Sequence, residues 1–436
     1  MTHHTNRIVL LLFYRKNGII PPKEAVTLEQ TFLTELRIEK VRHLQDITIP
    51  LSKTERKNLI LTGKNGCGKT SVLKNLVEFL KYVISYSYRP KADILEYVRL
   101  WENELLKCDN SESGRKKQEH ASHQLEIYKT YLQNWSDGCW GQATSFMSLR
   151  DKYARGQYVM AFYHDNRQID VAKYKDITKV DLKPIYEIQD KPVKDLGKFL
   201  VNLKSTQAFA LAKGNTARAN EISDWFSRFE NIMKRLYHDE SLHLDFDIET
   251  FQFSIHIDGR EPFDFNTMSM GYAAVLDIIC DLIMRMESQR RYDLEGIVLI
   301  DEIETHLHVE LQKQIVPILT ELFPNIQFIL TTHSPFILNS SPNAVIYDLE
   351  KHMLVEDGME NLSYEGIVEG FFEVDRFSQK LRKYFEEYKQ LVTSENLSDR
   401  DYARIAELED YLDEVPDYLA LDFAHEYSRL KAEFDS

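Results

Sequence analysis

The feature that most limits how this chain can fold is a glycine-rich segment between two apolar patterns. A short apolar run, Leu59–Leu61, leads into it, and helically spaced apolar residues follow it. The segment reads Gly63-Lys64-Asn65-Gly66-Cys67-Gly68-Lys69-Thr70-Ser71. In this context the pattern G-x-x-x-x-G-K-[ST] is typical of a phosphate-binding loop, because glycines let the backbone approach a phosphate closely. The alternative is a chance glycine-rich turn.

The side chains that end this loop indicate what it would bind. Lys69 would place a positive charge on the β- and γ-phosphates of a nucleotide, and the Thr70 hydroxyl would ligate Mg²⁺. The loop amides would point at anionic oxygens from the positive end of a helix. We therefore expect residues 63–71 to bind ATP with Mg²⁺, with Lys69 also contributing to catalysis.

A second apolar strand, Gly296–Ile300, ends in the two carboxylates Asp301 and Glu302. This is a Walker B pattern, in which Asp301 would hold Mg²⁺ directly or through water. Glu302 would orient and deprotonate the attacking water, a general-base contribution of roughly 10²–10⁴-fold. In isolation such a pair could be a solvated strand end, but here it accompanies a phosphate-binding loop.

Polar residues also follow two other predicted strands. Gln327–Thr331 is followed by Thr332 and His333, and Tyr158–Tyr163 is followed by a polar stretch ending in Arg167-Gln168. Parallel α/β folds place ligand groups at such strand ends. Gln168 or Arg167 is therefore a candidate sensor of Mg²⁺ and γ-phosphate, with Gln168 as a further metal ligand. An ordinary polar loop is the equal alternative.

Taken in order, these motifs resemble those of ABC-class ATPases, within the SMC-, RecF- and OLD-like branch. The resemblance covers roughly residues 31–80 and 155–350. It implies that Ser269 and Gly271, which precede an apolar helical run, form the signature motif that caps a γ-phosphate bound by the opposite subunit. It also identifies His333 with the switch histidine of the family.

The resemblance implies an α/β fold, an ABC-type two-lobed ATPase head with a helical insertion and a C-terminal helical tail. We predict an N-terminal extension over 1–30, a head formed by 31–80 and 155–360, a helical insertion over 81–154, and an acidic helical region over 361–436. Aromatic residues of the insertion are expected to pack internally; base stacking is the alternative. The acidic region is a solvated face or a dock for a basic partner.

Composition bounds the partners and the compartment. A net charge of −15 over 436 residues argues against a protein that coats nucleic acid, so any DNA contact would be local. The sequence has no apolar run near the roughly 20 residues that span a bilayer, so no membrane contact is expected. Four cysteines without paired spacing suit the cytoplasm. Cys67, beside Lys69, is expected to be the most readily alkylated of them.

The resemblance extends to the stand-alone ATPases of bacterial antiphage systems, such as the Septu and retron-associated ones. It implies Mg²⁺-dependent ATP binding and hydrolysis at a head-to-tail dimer interface, which would drive a conformational switch. The expected partners are a second copy, in a homodimer or a higher oligomer of dimers, and a separately encoded nuclease effector. A RecF-like DNA-repair ATPase, or an ATP-controlled assembly scaffold with little turnover, is the alternative.

Overall fold

The computed structural model describes residues 30–434 apart from a few internal positions, which are 86–87, 110, 137, 168, 170, 172–176, 178, 342, 360–361, 363, 368–369, 371–378, 395–396 and 414–420. The chain divides into two compact units, Met1–Glu360 and Asn361–Ser436. Within the described residues, no helix combines the length and apolar character needed to cross a membrane.

The strands of the described residues form three sheets. They are β1 (Leu33–Val41), β2 (Leu44–Pro50), β3 (Asn58–Thr62), β4 (Gly138–Ala143), β5 (Tyr158–Tyr163), β6 (His243–Asp247), β7 (Gln252–His256), β8 (Glu295–Ile300), β9 (Ile326–Thr331), β10 (Ala344–Asp348) and β11 (Met353–Val355). The strands β3, β5, β8 and β9 lie where the sequence patterns predict them.

The largest sheet has the order β11-β10-β3-β9-β8-β5. Its strands pair in parallel except for the edge strand β11, which is antiparallel to β10. Every residue of β3, β5, β9 and β10 is buried, as expected for parallel strands that are covered on both faces. The parallel pairing brings the carboxyl ends of β3, β5, β8 and β9 to one edge, where the predicted site residues begin.

The helices of the first unit connect and cover these sheets. They are α1 (Lys69–Ile84), α2 (Lys91–Leu106), α3 (Glu112–Ser136), α4 (Phe146–Ala154), α5 (Leu196–Ala212), α6 (Thr216–Tyr237), α7 (Met270–Glu287), α8 (Val309–Leu322) and α9 (Pro335–Asn339). The apolar face of α1, including Val72, Leu76 and Leu80, shares one core with residues of β1, β3 and β8. The phosphate-binding loop is thus held between two sheets.

The segment 81–154, which we predict to be a helical insertion, contains a strand as well as helices. Helices α2 and α3 pack together within it, but β4 joins β1 as the third strand of the small sheet β2-β1-β4. Trp140 is buried there and donates its indole hydrogen to Glu39. Gly141 lies so close to β1 that a Cβ on it would stand 2.9 Å from Glu35 O. These tertiary contacts stabilise a strand whose residues carry little intrinsic strand preference.

The second unit contains the helices α10 (Gln379–Val392), α11 (Asp399–Asp413) and α12 (Leu421–Phe434). They enclose a small apolar core of their own, which includes Tyr388, Leu408 and Leu430. The α/β fold class with a helical C-terminal region is therefore confirmed.

Candidate functional site

The glycine-rich loop adopts the backbone that its sequence predicts. Gly63, Gly66 and Gly68 have φ values of 124°, 85° and 105°, a region that other residues rarely adopt. A Cβ on Gly63 would stand 2.9 Å from Cys67 Sγ, and one on Gly68 would stand 3.0 Å from Leu44 Cδ1. The glycines therefore meet both a conformational and a steric demand, and α1 begins directly after them.

The side chain of Lys69 folds along this loop and is only 5% exposed. Its ammonium group donates to Gly63 O at 2.8 Å and to Lys64 O at 3.1 Å. His333 Nδ1 lies 3.5 Å from the same nitrogen. The structure thus brings the ends of β3 and β9 together around one buried positive charge.

The polar residues that end β8 and β9 form a hydrogen-bonded group with the loop. Thr70 Oγ1 donates to Asp301 Oδ1 at 3.1 Å, and Thr331 Oγ1 donates to the same oxygen at 2.6 Å. The amide of Glu302 donates to Thr331 Oγ1 at 2.7 Å. Asp301 is 2% exposed, so this cluster is sheltered from bulk water. Hydroxyl and carboxylate oxygens of this kind are ligands that Mg²⁺ prefers.

The imidazole ring of His333 lies beside this cluster. Its backbone amide donates to Glu304 Oε1. Its Nε2 atom and Glu304 Oε2 are buried and have no hydrogen-bond partner among the described residues. Burial, and secondarily the charge of Lys69, lowers the pKa of His333. The imidazole is therefore biased toward its neutral form, which keeps an acceptor available.

In the polar stretch after β5, Arg167 contacts the backbone of the turn that follows β8. Arg167 is 3% exposed, and its guanidinium donates to the backbone carbonyls of Asp301, Glu302 and Ile303. Gln168, the candidate sensor and metal ligand, lies outside the described residues. Sequence reasoning considered Arg167 for phosphate sensing and did not foresee this backbone contact.

Ser269 and Gly271 lie at the start of α7. Ser269 is the N-cap residue, yet its hydroxyl caps no amide of its own helix. A Cβ on Gly271 would stand 3.0 Å from His306 O, so the helix start closely approaches the turn after Glu302. Met270, between them, is 66% exposed. The start of α7 is thus exposed to solvent, and it packs against the turn that follows Asp301 and Glu302.

Two contacts of the loop region were missed at the level of sequence. Glu350, in the turn after β10, accepts the Lys64 amide at 3.2 Å and pairs with its ammonium group at 2.9 Å. Thr331 bridges Asp301 and Glu302 as described above. Thr331 could have been found, because it ends a predicted strand beside the Walker B strand. Glu350 gave no comparable signal.

Among the described residues, no three His, Cys, Asp or Glu side chains converge as a separate metal site. A cavity in that part of the chain is lined by residues including Val171, Leu200 and Phe253. None of its lining residues belongs to the phosphate-binding loop. The polar cluster at the sheet edge is therefore the site that the predicted motifs and the structure share.

The fold is of the α/β class, and comparison with known proteins shows what the chain is similar to. Residues 165–339 match the family described as "AAA domain, putative AbiEii toxin, Type IV TA system". The chain is 23% identical over 405 residues to the Septu protein PtuA of Bacillus mycoides (strain KBAB4), covering 88% of this chain and 51% of that protein. It is 35% identical over 147 residues to the Retron Ec83 probable ATPase of Escherichia coli, covering 32% of this chain and 27% of that protein.

The chain thus spans about half the length of the Septu relative and about a quarter of the retron one. An SMC head domain from Thermotoga maritima is a remote structural match, with 12% identity, a TM-score of 0.32 and coverage of 72% of this chain and 94% of that chain. A likeness at that TM-score does not bear on function. The sequence matches confirm the resemblance to the Septu and retron-associated proteins.

Proposed function

We propose that this chain binds and hydrolyses ATP with Mg²⁺ at a site completed by a second copy, and that turnover drives a conformational switch. The observation that carries the proposal is the hydrogen-bonded group of Thr70, Asp301, Thr331 and the Glu302 amide beside the glycine-rich loop. It joins the ends of three neighbouring strands, where α/β folds bind ligands.

The residues of this site fit both the phosphate chain of ATP and Mg²⁺. The left-handed glycines and the start of α1 suit a phosphate chain. Thr70 Oγ1 and Asp301 Oδ1, 3.1 Å apart, offer the hydroxyl and carboxylate oxygens that would hold Mg²⁺. When bound, Mg²⁺ would neutralise charge on the phosphate oxygens.

Each side chain then has a task in hydrolysis. Lys69 would leave its loop carbonyls and place its charge on the β- and γ-phosphates. Glu302 would orient the attacking water and accept its proton. His333, with Nε2 unpaired and the pKa lowered, would accept a hydrogen bond from that water or donate one to the γ-phosphate, according to its tautomer. Asp301 is held by two hydroxyl donors and would stay a metal ligand.

The second copy would supply Ser269 and Gly271. Two features support this role: the Ser269 hydroxyl caps no amide of its own helix, and Met270 beside it is largely exposed. An exposed helix N-terminus of this kind would bind an anion, because its backbone amides and its dipole favour negative charge. The close approach of Gly271 to His306 would couple the signature of one copy to the turn that carries its own Glu302.

The similarity to Septu and retron-associated ATPases supports a role in antiphage defence in the cytoplasm, together with a separately encoded nuclease effector. That context rests on the relatives alone. A RecF-like repair role predicts salt-sensitive binding of short DNA, since phosphate contacts weaken as salt rises. A pure assembly scaffold predicts nucleotide-dependent association with little phosphate release.

The test is steady-state phosphate release by the chain with ATP and Mg²⁺. Glu302→Gln should retain ATP binding and lose turnover by about 10²–10⁴-fold, because it removes the general base. Glu310→Gln is the matched control, since Glu310 is an exposed residue of α8 and the substitution makes the same change of charge. The proposal would be contradicted if Glu302→Gln released phosphate at the wild-type rate. It would also be contradicted if neither the wild type nor Glu310→Gln released phosphate.

A further inference from the structure

One buried arginine contacts the backbone of the proposed general base from a separate element. Arg167 follows β5 and is 3% exposed. One terminal nitrogen of its guanidinium donates to His164 O at 2.9 Å and to Asp301 O at 2.6 Å. The other donates to Glu302 O at 2.8 Å and to Ile303 O at 3.2 Å. Three consecutive carbonyls of the turn after β8 therefore converge on one side chain.

This turn needs such support because its backbone is unusual. Glu302 has a φ of 44°, in the left-handed region. A residue with a Cβ keeps such a strained conformation only where its surroundings impose it. The amides of Glu302 and Ile303 donate to Thr331 Oγ1 and Thr331 O, at 2.7 and 3.1 Å. The turn is thus held by β9 through its amides and by Arg167 through its carbonyls.

A buried carboxylate on α7 complements the arginine charge. Asp277 is 2% exposed, and its Oδ2 atom has no hydrogen-bond partner among the described residues. Burial raises the pKa of Asp277 to about 6, while the charges of Lys191 and Arg167 act in the opposite direction. Burial likewise lowers the pKa of Arg167, and the charge of Glu304, followed by that of Asp277, opposes this effect.

We propose that Arg167 is a positioning residue that fixes the carboxylate of Glu302 for turnover. This inference rests on the proposed ATPase function. Both terminal nitrogens of the guanidinium are committed to backbone carbonyls, so the side chain acts through the turn and does not reach for phosphate. A lysine cannot replace it, because a single ammonium group does not present the planar fork that spans these carbonyls.

The experiment compares Arg167→Lys with Arg285→Lys. Arg285 is a matched control, because it is 6% exposed and also donates to backbone carbonyls, those of Met160 and Glu187. Arg167→Lys should lower kcat for ATP by about 10–100-fold, the effect of misplacing a catalytic group by about an ångström, and leave KM within about twofold. Arg285→Lys should lower the urea midpoint of unfolding and keep kcat near wild type.

A double-variant comparison separates positioning from general weakening. In a Glu302→Gln background, Arg167→Lys should cause no further loss of residual turnover, because the group it positions is absent. An additional loss equal to that in the wild-type background would overturn the proposal. So would a raised KM with unchanged kcat, which would indicate phosphate binding instead.

If Arg167→Lys does not fold, Arg167→Gln takes over the test, since its amide can donate to only part of the set of carbonyls that the guanidinium joins. It should lower kcat severalfold at unchanged KM, and an unchanged kcat would overturn the proposal. These results are distinguishable from a failure of the proposed function. In that case the wild-type chain itself would release no phosphate.

Discussion

Thr331 donates its hydroxyl hydrogen to Asp301 Oδ1 at 2.6 Å. The hydroxyl oxygen of Thr331, in turn, accepts the amide hydrogen of Glu302 at 2.7 Å. One side chain at the end of β9 thus orients both acidic residues that follow β8. Since Thr331 and Asp301 are both buried, water cannot readily replace these bonds.

Replacing Thr331 with valine should therefore lower both stability and turnover. Thr331→Val keeps the shape but leaves a buried amide without its acceptor, which costs about 1–3 kcal/mol of unfolding free energy. Urea titration and phosphate release measure the two effects. Thr320→Val is the control, because the Thr320 hydroxyl donates only within α8, to the carbonyls of Val316 and Pro317. Equal stability of Thr331→Val and wild type would contradict this account of the bridge.

Gly271→Ala should impair ATP-dependent association of two copies. The added Cβ would meet His306 O at 3.0 Å and Leu311 Cδ1 at 3.3 Å, so the start of α7 must shift. Gly370→Ala is the control, since a Cβ there would meet no atom of the described residues within 4 Å. Sizing each variant with and without ATP measures the effect. If Gly271→Ala associates at the same ATP concentration as the wild type, the close approach of Gly271 to His306 is not needed for association.

The parts of the fold that sequence predicted are those with strong local signals. The buried strand β8 and the loop glycines follow from apolar runs, turn chemistry and a motif with a physical basis. The residues of β4 gave no such signal, because Gly141 and Trp140 belong to a strand only through contacts with β1. A pattern read along the chain does not contain those contacts.

The site also contains residues that local sequence patterns predict and residues that only tertiary contacts place. Lys69, Thr70, Asp301 and His333 converge as predicted, because parallel strands end at one edge of a sheet. The backbone contacts of Arg167 could not be predicted, since they depend on carbonyl directions in a left-handed turn 134 or more residues away.

The pKa of His333 predicts a pH-dependent contribution to stability. Burial and the charge of Lys69 lower this pKa, so the unfolded chain binds the proton more tightly than the folded one. The contribution is present above the ordinary pKa of histidine, near 6.5, and is lost as pH falls below it. The loss of unfolding free energy between pH 7.5 and 5.5 should be smaller in His333→Asn than in wild type. His123→Asn, at an exposed position of α3, should match wild type. An identical pH difference in His333→Asn would contradict the assignment.

The structure changes the expected order of cysteine alkylation. Cys67, which the sequence favoured, is buried with its sulfur 3.7 Å from Lys69 Nζ, whereas Cys108 is partly exposed. Burial raises the pKa of Cys139 to about 12 and raises that of Cys280 as well, so both should react slowly. Timed labelling with iodoacetamide and mass spectrometry should find Cys108 modified first, with or without ATP. Faster labelling of Cys67 would restore the sequence-based expectation.

Whether two copies complete each other's ATP sites is tested by two variants with lesions on opposite sides of the shared site. Lys69→Ala should abolish ATP binding, because the loop loses its buried positive charge. Ser269→Arg should leave ATP binding by the single chain nearly intact and fill the gap for the γ-phosphate with a bulky side chain. Neither variant alone can form a working site.

A mixed dimer of the two can form one such site, from the loop of the Ser269→Arg copy and the signature of the Lys69→Ala copy. The most direct measurement is phosphate release, and ATP-dependent association, after the two purified variants are mixed. We predict that mixing restores part of the wild-type activity, or at least association where the two sites must act together. If both variants are folded and mixing restores neither, the site is completed within one chain and the shared-site account is wrong.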